Sequence, residues 1–409
     1  MPGPLAGVRI LDATTVVLGP FATQTLGDLG ADIVKVEPPE GDTTRKLGPA
    51  RNPDMAAFYL ACNRNKRSIV LDLKQPGGRA AFLRLARTAD VAVHNFRPQA
   101  AARLGLEYEA VRAENPAIIY CATYGFRAAG PYGNRPVYDD IIQAASGLAA
   151  LQTPLVGEPR YLPTIVADKT SSMGLAIALL AALHHKARTG EGQTIEVPMF
   201  ETLAAWVMVE HLYGETFVPP LDTAGYKRVM NRWRRPFPTR DGYLAVLPYT
   251  DAHWRAFFTV TGRDDLLADE RFRSLGSRLA HIEALYEALG AIVATRSSGE
   301  WLDVLDAAGV PAMVVNTLES LLHDPQLEAT GFWQMVEHPT EGTLRMPGIA
   351  ATYGRTPGEI RRLPPRLGEH SVEILREAGF APAEIDALIA SGASSAGGSA
   401  TASPPGTRG

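Results

Sequence analysis

The chain has 409 residues but only two cysteines, Cys62 and Cys121, which are too few for a disulfide framework or a cysteine-based metal site. It also lacks an excess of one charge sign, since 40 Lys and Arg residues stand against 44 Asp and Glu residues. A nucleic-acid-binding domain typically has a strongly basic face. No basic segment precedes the first apolar stretch, as it would in a signal peptide, and the longest clean apolar run, residues 175–183, is too short to span a membrane. We therefore expect a cytoplasmic protein with neither nucleic acid nor a membrane as a partner.

The apolar content is that of a folded protein. Hydrophobic residues make up 46% of the chain, which excludes a disordered protein and supplies more than one core. The length fits two or three domains. The last segment, residues 391–409, is small and polar and contains no aromatic residue, so we expect it to be a disordered tail.

The first 125 residues alternate between strand-like and helix-like segments. Alternating strands and helices predict βαβ units and an α/β fold with a largely parallel sheet. Such sheets bind their ligands at the carboxyl ends of the strands. The pattern predicts strands at 8–11, 32–36, 68–73, 91–93 and 118–121, and helices at 21–29 and 76–87.

Two changes of composition divide the rest of the chain. Residues 139–212 are predominantly helical, and residues 214–240 are rich in Pro, Gly and Arg, which is typical of a connection. Residues 241–330 have the mixed pattern of a smaller α+β unit. We therefore expect a large domain that begins with residues 1–213, a linker at 214–240 and a small domain at 241–330.

Several familiar site motifs are absent from the sequence. The first βα turn reads LGPFATQ instead of G-x-G-x-x-G, and its proline removes a backbone donor that a pyrophosphate would use. This disfavours dinucleotide binding but leaves the turn able to receive a different ligand. The nine histidines show no metal-binding spacing, and no G-x-S-x-G sequence is present. We expect no metal site.

Asp168 has two interpretations. It lies between a strand-like stretch and a helical one, where aspartate is a preferred N-cap residue, and the residues alone favour this structural role. The same position also suits a carboxylate nucleophile, because the positive end of a helix keeps the carboxylate ionised. An ionised aspartate can attack a thioester carbonyl. The sequence pattern by itself leaves both interpretations open.

The basic residues are similarly ambiguous. Arg45, Lys66, Arg67 and Arg103 are each expected to be solvated surface charges. Together they fall in loops or helix ends after predicted strands, where a phosphorylated ligand would be held. The arginines of the 214–240 connection could hold a substrate carboxylate bidentately or line a solvated linker; they are Arg228, Arg232, Arg234 and Arg235.

Taken in order, seven segments of the chain resemble the class III CoA-transferase family, which includes formyl-CoA transferase and α-methylacyl-CoA racemase. The resemblance extends from residue 4 to about residue 390. The first and longest segment covers residues 4–45 and contains VLGPFATQTLGDLGADIVKVEPPEGD. The others are NRNKRSIVLDLK at 63–74, ADVAVHNFRPQAAARLGL at 89–106, GPYGNRPVYDDIIQAASGL at 130–148, VADKTSSMGLAIALLAAL at 166–183, TGEGQTIEVPMFE at 189–201 and HPTEGTLRMPG at 338–348.

The resemblance implies a specific architecture and chemistry. Members of this family have a large Rossmann-like domain and a smaller domain joined by two linkers, so residues 331–390 would form the second linker and return to the large domain. Two chains thread through each other as an interlocked homodimer. In the transferases a single aspartate carries the acyl group, and Asp168 matches it. The reaction would move CoA from an acyl-CoA donor to a carboxylic acid through an aspartyl mixed anhydride and an aspartyl-CoA thioester.

The resemblance also implies which residues contact CoA. The thioester would enter as a substrate, with no permanently bound cofactor. Arg103 matches a phosphate contact, and Tyr138 is expected near the thioester. The expected CoA contacts are Val16, Leu18, Arg45, Leu71, Asn95, Phe96, Arg103 and Tyr138.

The sequence departs from individual branches of the family, and these departures bear on the substrate. The racemase branch has a histidine immediately before the residue that corresponds to Asp139, whereas this chain has Tyr138, a poor base near neutral pH. We therefore expect a transferase, with a 2-methylacyl-CoA racemase and a non-catalytic acyl-CoA-binding protein as the alternatives. Oxalate and formate are doubtful acceptors, because the glycine-rich loop of formyl-CoA transferase has no counterpart in residues 214–240. The arginines there, Arg232, Arg234 and Arg235, instead suggest a C4–C6 dicarboxylate, with succinyl-CoA as donor.

Overall fold

Six parallel strands form the largest sheet of the structure. The computed structural model describes residues 2–397, and its sheet consists of β1 (Arg9–Ala13), β2 (Asp32–Glu37), β3 (Lys66–Val70), β4 (Val91–His94), β5 (Ile119–Tyr124) and β6 (Thr194–Pro198). The strand order is β3-β2-β1-β4-β5-β6, and every neighbouring pair is parallel. The predicted α/β class with a parallel sheet is confirmed. The sequence pattern predicted β1 to β5 within a few residues but not the edge strand β6.

The strand order creates a crevice between β1 and β4. The chain builds β1, β2 and β3 towards one edge of the sheet and then returns to place β4 on the other side of β1. The connections that follow β1 and β4 therefore leave their carboxyl ends in opposite directions. In open parallel sheets this is the place where ligands bind.

The helices of this part of the chain cover both faces of the sheet, because side chains on a strand alternate between its two faces. Leu11 and Val34 pack with α3 (Pro76–Ala86), α5 (Tyr108–Glu114), α17 (Ser371–Glu377) and α18 (Pro382–Ala390) on one face. On the other face, Asp12 contacts Thr23 of α1 (Leu18–Asp28). The neighbouring helices are α2 (Ala57–Cys62), α4 (Pro98–Leu104), α6 (Asp139–Ala145) and α8 (Val166–Thr189). A hairpin of β10 (Trp333–His338) and β11 (Gly342–Pro347) precedes α17.

Helix α8 begins close to the end of β1 and forms part of the core of this unit. By length and composition it is the one described helix that could cross a membrane. Its Leu175 and Leu179 are buried, and it packs against α1, β5 and β6. The structure therefore accounts for Leu175 and Leu179 as residues of a helix packed on a sheet.

The described chain divides into two units. The first unit holds the parallel sheet and comprises the residues up to Ser146, Leu162–Trp206 and the residues from Thr330 onward. The second unit comprises Gly147–Tyr161 and Val207–Ala329. This division places residues 147–161 in the second unit and begins its main part at 207. The linkers at 214–240 and 331–390 stay a proposal.

The second unit has its own core around a small antiparallel sheet. The sheet consists of β7 (Phe237–Pro238), β8 (Tyr243–Val246) and β9 (Ala312–Val314). Aromatic residues such as Trp254, Phe257 and Trp301 fill the core. The remaining helices are α7 (Thr153–Val156), α10 (Asp251–Val260), α11 (Asp264–Ala268), α12 (Leu275–Ala280), α13 (Ile282–Val293), α14 (Ser298–Ala307), α15 (Leu318–Leu321) and α16 (Pro325–Ala329); helix α9 (Met199–His211) extends from the first unit into the second.

The prediction of a disordered tail from residue 391 is wrong for its first residues. The Asp72 N–H donates to the Ala393 carbonyl at 2.9 Å, and the Ser394 hydroxyl donates to the Val70 carbonyl at 2.8 Å. Ser394 also forms an antiparallel bridge with Leu71, just beyond β3. Small polar residues can thus be ordered by backbone pairing at a sheet edge, which composition does not reveal. Residues 398–409, the rest of the expected tail, lie outside the described part of the chain.

Several charged residues that were expected on the surface are buried instead. Arg45 is 0% exposed, and its guanidinium binds both carboxylate oxygens of Glu37 at 2.7 Å. The same guanidinium donates to the Tyr59 hydroxyl and the Pro365 carbonyl. Lys66 and Arg67 are buried too, paired with Asp12 and with Asp32 respectively. The expectation of solvated surface charges is therefore wrong for these three residues, because each finds carboxylate partners from other segments.

We expect Arg45→Met to destabilise the protein by about 3–5 kcal/mol, because it leaves the buried Glu37 carboxylate without its guanidinium. Lys46→Met is the matched control. Lys46 is exposed and lies 4.0 Å from Asp54, so its loss should change stability by about 0.5 kcal/mol or less. Urea unfolding of the two variants measures the difference. Equal midpoints for both variants would mean that the Arg45–Glu37 pair adds nothing to the fold.

Candidate active site

Two neighbouring cavities open at the carboxyl ends of β1 and β4. The first, here called the Asp168 cavity, has a volume of about 350 Å³. The second, the Leu71 cavity, has a volume of about 210 Å³ and is lined by Leu71, Pro38 and Leu104 among others. Thr15 and Phe96 line both cavities. The two cavities are therefore adjacent, at the crevice that the strand order predicts.

The Asp168 cavity brings together most of the expected site residues. Asp168 lines it, together with Val16 and Leu18 from the β1–α1 turn and Asn95 and Phe96 from the segment after β4. Tyr138 also lines it, and its side chain is 74% exposed. The side chains come from three separate connections and from the first turn of α8, so their proximity depends on the tertiary fold.

Asp168 is not the N-cap residue of α8, so the structural interpretation of this residue is wrong. The helix begins one turn earlier, with Ile165 at the N-cap position and no side chain capping it there. Asp168 lies in the first turn, and its own backbone N–H donates to the Asp139 carboxylate at 3.0 Å. The Asp139 side chain therefore caps the helix, which leaves the Asp168 carboxylate available to the cavity.

The surroundings of Asp168 favour its protonated form. Burial raises the pKa of its carboxyl to about 7, and the negative charge of Asp139 acts in the same direction. The Leu18 N–H hydrogen-bonds this carboxylate and lowers the pKa, but its effect is smaller. A carboxylate with a pKa near neutrality is half ionised at physiological pH and more basic than an exposed aspartate.

Asp139 is itself held in place by hydrogen bonds. Its buried carboxylate accepts from the Gln143 amide at 2.6 Å, one turn along α6. The other end of Gln143 accepts from the Leu162 N–H at 2.9 Å, and its amide also donates to the Thr164 carbonyl. These bonds tie α6 to the segment that leads into α8, so α6 fixes the position of Asp168.

The β1–α1 turn approaches Asp168 closely and requires an unusual backbone. A Cβ atom on Gly19 would lie 2.2 Å from the Thr14 side chain, so glycine is needed there. Val16 has a φ of 71°, a left-handed conformation that is strained for a β-branched residue. Leu18 connects the turn to α8, since its carbonyl accepts from the Ser172 hydroxyl at 2.6 Å.

The segment after β4 supports the same turn. The Asn95 side chain accepts from the Thr15 N–H at 3.2 Å and donates to the Thr15 carbonyl at 3.0 Å. The Phe96 N–H donates to Nδ1 of the buried His94, whose ring stacks on the Phe96 ring at 5.1 Å. Burial lowers the pKa of His94 to about 4, so the imidazole is neutral. The hydrogen bonds of Asn95 to Thr15 thus give this residue a structural role besides its expected contact with CoA.

Three expected CoA contacts lie outside the Asp168 cavity. Leu71 lines the Leu71 cavity, and exposed Arg103 lies next to Leu104, which lines the same cavity. Arg45 lines neither cavity, because its guanidinium is buried against Glu37 and Tyr59. The structure therefore does not present Arg45 to a ligand at this crevice.

Two arginines that were not among the expected site residues line the Asp168 cavity. Arg97 follows Phe96 directly and donates to the Asn134 carbonyl, and exposed Arg135 stacks on the Tyr132 ring. The sequence signal for Arg97 was its position in the connection that follows the predicted strand 91–93. Arg135 lies in a loop between β5 and α6, and only the folded chain brings this loop to the cavity.

The substrate arginines proposed from composition belong to the second unit. Arg232, Arg234 and Arg235 are exposed there, and Arg232 and Arg235 lie near the Trp233 ring. Their role in binding a substrate stays a prediction. Within residues 2–397, no three His, Cys, Asp or Glu side chains cluster as metal ligands.

The chain is similar over most of its length to known CoA-transferases. The chain is 35% identical to succinate–glutarate CoA-transferase of Agrobacterium fabrum over 384 residues, which cover 91% of this chain and 95% of that protein. It is 36% identical to acetyl-CoA:oxalate CoA-transferase of Acetobacter aceti, with coverage of 92% and 96%. A crystal structure of a CaiB/BaiF family protein from Brucella suis superposes with a TM-score of 0.79 at 31% identity, covering 92% of this chain and 100% of that one.

The match to the family as a whole is equally extensive. Residues 5–371 match CoA-transferase family III, and this matched region contains β1 to β6, the residues that line both cavities, and Asp168. This confirms the resemblance that the seven sequence segments predicted. The chain therefore belongs to CoA-transferase family III.

Proposed function

We propose that this enzyme transfers CoA from succinyl-CoA to a dicarboxylic acid of four to six carbons, with Asp168 as the nucleophile. The observation that carries the proposal is the position of Asp168. Its carboxyl has a raised pKa and lines the Asp168 cavity, at the crevice between β1 and β4. Relatives named as succinate–glutarate and succinyl-CoA:glutarate CoA-transferases support this donor and a C5 acceptor. Glutarate is therefore the first acceptor to test.

The reaction begins with attack of the ionised Asp168 carboxylate on the thioester carbonyl carbon. A C–O bond forms, the C–S bond breaks, and CoA leaves as the thiolate. The thiolate then attacks the aspartyl carbonyl carbon, which frees succinate and leaves an aspartyl-CoA thioester. The acceptor carboxylate attacks that thioester, and the thiolate finally captures the acyl group of the new anhydride. Each step exchanges one activated acyl bond for another.

The surroundings of Asp168 suit both halves of this cycle. A pKa near 7 makes the ionised carboxylate a better nucleophile than an exposed aspartate, while part of the population is still ionised at neutral pH. The Leu18 N–H hydrogen-bonds this carboxylate. When the aspartyl carbon becomes tetrahedral, the same N–H can donate to the oxyanion.

The two cavities provide room for the substrates. The acyl group would lie in the Asp168 cavity, where Arg97 and Arg135 can attract the carboxylate of a dicarboxylic acid. The CoA chain would pass Thr15 and Phe96 into the Leu71 cavity, with Arg103 near its far end. The residues that would contact the acyl-CoA are then Val16, Leu18, Leu71, Asn95, Phe96 and Tyr138. Arg45 instead stabilises the fold beneath the site.

The alternative activities remain distinct from this proposal. Tyr138 replaces the base that a racemase would use, and a half-ionised Asp168 favours a working enzyme over a non-catalytic binding protein. Incubation with a 2-methylacyl-CoA in deuterated water tests the racemase activity, because racemisation exchanges the α-proton.

We expect the wild-type enzyme to convert succinyl-CoA and glutarate to glutaryl-CoA and succinate, and Asp168→Asn to lose at least about a thousandfold in kcat. Mass spectrometry of the acyl-CoA products across a panel of C2–C8 acids measures the transfer. Hydroxylamine should trap an acylated Asp168 as a hydroxamate on its peptide. Asp140→Asn, at an exposed neighbour of Asp139, is the control and should keep full activity.

Two results would reject the proposal. Transfer at the wild-type rate by the Asp168→Asn variant would remove Asp168 from the chemistry. Absence of exchange with every acid, together with α-proton exchange, would identify a racemase.

We expect the Asp168 carboxyl to make stability depend on pH. Its pKa is raised from 3.8 to about 7 on folding, so its contribution is fully present below pH 4 and is lost as the pH rises through 7, by at most about 1.4 kcal/mol per pH unit. An asparagine side chain at this position is neutral at every pH, so the Asp168→Asn variant should gain stability over the wild type between pH 5 and pH 8. The charge that faces Asp168 from α6, Asp139, is the same in both proteins.

Thermal unfolding at several pH values measures this difference. For the control variant Asp140→Asn, the difference in stability from the wild type should not change with pH over the same range. If the Asp168→Asn curve runs parallel to the wild-type curve from pH 5 to pH 8, the carboxyl does not carry a raised pKa in the folded protein.

We also propose that the enzyme is a homodimer. Helix α8 exposes an apolar stripe of Met173, Ile177 and Leu180, with Ile177 67% exposed. These residues lie on one side of the helix at helical spacing, and a second copy of the chain is the partner we propose for that side. The interlocked arrangement that the family resemblance implies would cover it.

Light scattering should give twice the chain mass of 44.0 kDa for the wild type. Ile177→Glu should shift the protein towards monomer, because a charge would be buried in the interface, whereas Ala113→Glu, at an exposed position of α5, should not. A wild-type protein that stays monomeric at micromolar concentration would contradict the proposed dimer.

A further inference from the structure

The strained turn at Val16 is held by a side chain that does not belong to the cavity wall. Asp42 is 1% exposed and precedes the 3-10 turn Thr43–Lys46. The Val16 N–H lies 3.2 Å from each of its two carboxylate oxygens. Residues with a branched Cβ are rare in the left-handed region, and such conformations persist only where the surroundings hold them. The Asp42 carboxylate holds Val16 in this conformation.

Asp42 is itself fixed by a buried cation. Its carboxylate accepts from Nζ of Lys35 at 2.9 Å, and both side chains are fully buried. The Thr44 N–H and hydroxyl also donate to it, at 3.0 and 2.8 Å. The charges of Asp42 and Lys35 favour the ionised form of each other, so the pKa of Asp42 is lowered and that of Lys35 is raised. The acceptor for the Val16 N–H is therefore a carboxylate that several hydrogen bonds hold in place and whose ionised form Lys35 favours.

The backbone on either side of Val16 is fixed as well. Lys35 donates to the Thr14 carbonyl at 3.0 Å, and Asn95 binds both backbone groups of Thr15. On the far side, the Leu18 carbonyl accepts from Ser172, and the Leu18 N–H donates to the Asp168 carboxylate. A change of φ at Val16 would consequently displace the Leu18 N–H, because the chain before Val16 cannot move with it.

We infer that Asp42 is a positioning residue of the active site, which acts through Val16 to hold the Leu18 N–H on Asp168. This inference rests on the proposed role of Asp168 in CoA transfer. The turn brings an N–H donor to a carboxylate that burial and Asp139 otherwise keep protonated. Loss of the donor would raise the pKa of Asp168 further and remove a donor from the tetrahedral intermediate.

The test compares two variants that differ in whether position 42 keeps a side-chain oxygen as the acceptor for the Val16 N–H and for Thr44. Both remove the Lys35 charge, so neither leaves a buried ion without its partner. Lys35→Met with Asp42→Asn keeps a side-chain oxygen at position 42, and Lys35→Met with Asp42→Ala does not. We expect kcat of the Ala variant to fall by between about tenfold and about a hundredfold relative to the Asn variant, with a smaller change in KM for succinyl-CoA.

Adding a substitution at Val16 separates backbone conformation from packing. Glycine adopts a positive φ without strain, so Val16→Gly in the Ala variant should restore kcat to within about threefold of the Asn variant. Val16→Ala is the matched control, since it shortens the side chain but keeps the Cβ, and it should restore less. The pH at which kcat/KM reaches half its plateau should move upward in the Ala variant and return with Val16→Gly, which a loss of stability alone would not cause.

Each outcome has a distinct meaning. Circular dichroism establishes that the variants fold. If the Ala variant does not fold, the single variant Asp42→Glu replaces it, because it retains Lys35 and the charge but moves the carboxylate by one methylene. Full activity of the folded Ala variant, or equal rescue by Val16→Ala and Val16→Gly, would overturn the role of Asp42. Those results leave wild-type transfer and its loss in Asp168→Asn intact, whereas failure of the proposed function would abolish transfer in the wild type itself.

Discussion

The site depends on a buried ion pair between Lys35 and Asp42 beneath the turn that joins β1 to α1. Asp42 fixes the Val16 N–H and Lys35 fixes the Thr14 carbonyl, so one pair of charges determines the path of the backbone towards Asp168. Burying two ions carries a desolvation penalty that their attraction repays only with good geometry. Here additional donors complete the geometry, and the result is a turn with little freedom at the place where a ligand would bind.

Asp168 is surrounded by a balance of opposing effects. Burial and the Asp139 charge favour its neutral form, while the Leu18 N–H favours the charged form. Asp139 has two consequences, because the carboxylate that caps α8 and positions Asp168 is also the one whose charge raises its pKa. A nucleophile that must be ionised to attack and must also leave readily from an anhydride is served by a pKa near neutrality.

The charged residues of the first unit separate into two groups with different roles. Arg45, Lys66 and Arg67 are buried and paired, and they join segments that are distant in sequence. Arg45 joins the end of β2 to the loop at Pro365. Lys66 and Arg67 join β3 to β1 and to β2 respectively. Arg97, Arg135 and Arg103 are exposed near the two cavities and are available to a negatively charged substrate. The sequence pattern did not distinguish Arg45, Lys66 and Arg67 from Arg103, because it placed all four in loops or helix ends after predicted strands. In the structure, Lys66 and Arg67 lie within β3.

The sequence by itself determined the α/β class, five of the six parallel strands and the family, because apolar periodicity and the seven family segments are local properties. It did not determine that Asp139 caps α8, that Arg45 is buried, or that residues 391–397 pair beside β3, since each depends on a partner far away in the chain. The left-handed backbone of Val16 is the clearest case. Valine disfavours that conformation, and only the tertiary contacts of Asp42, Lys35 and Asn95 impose it.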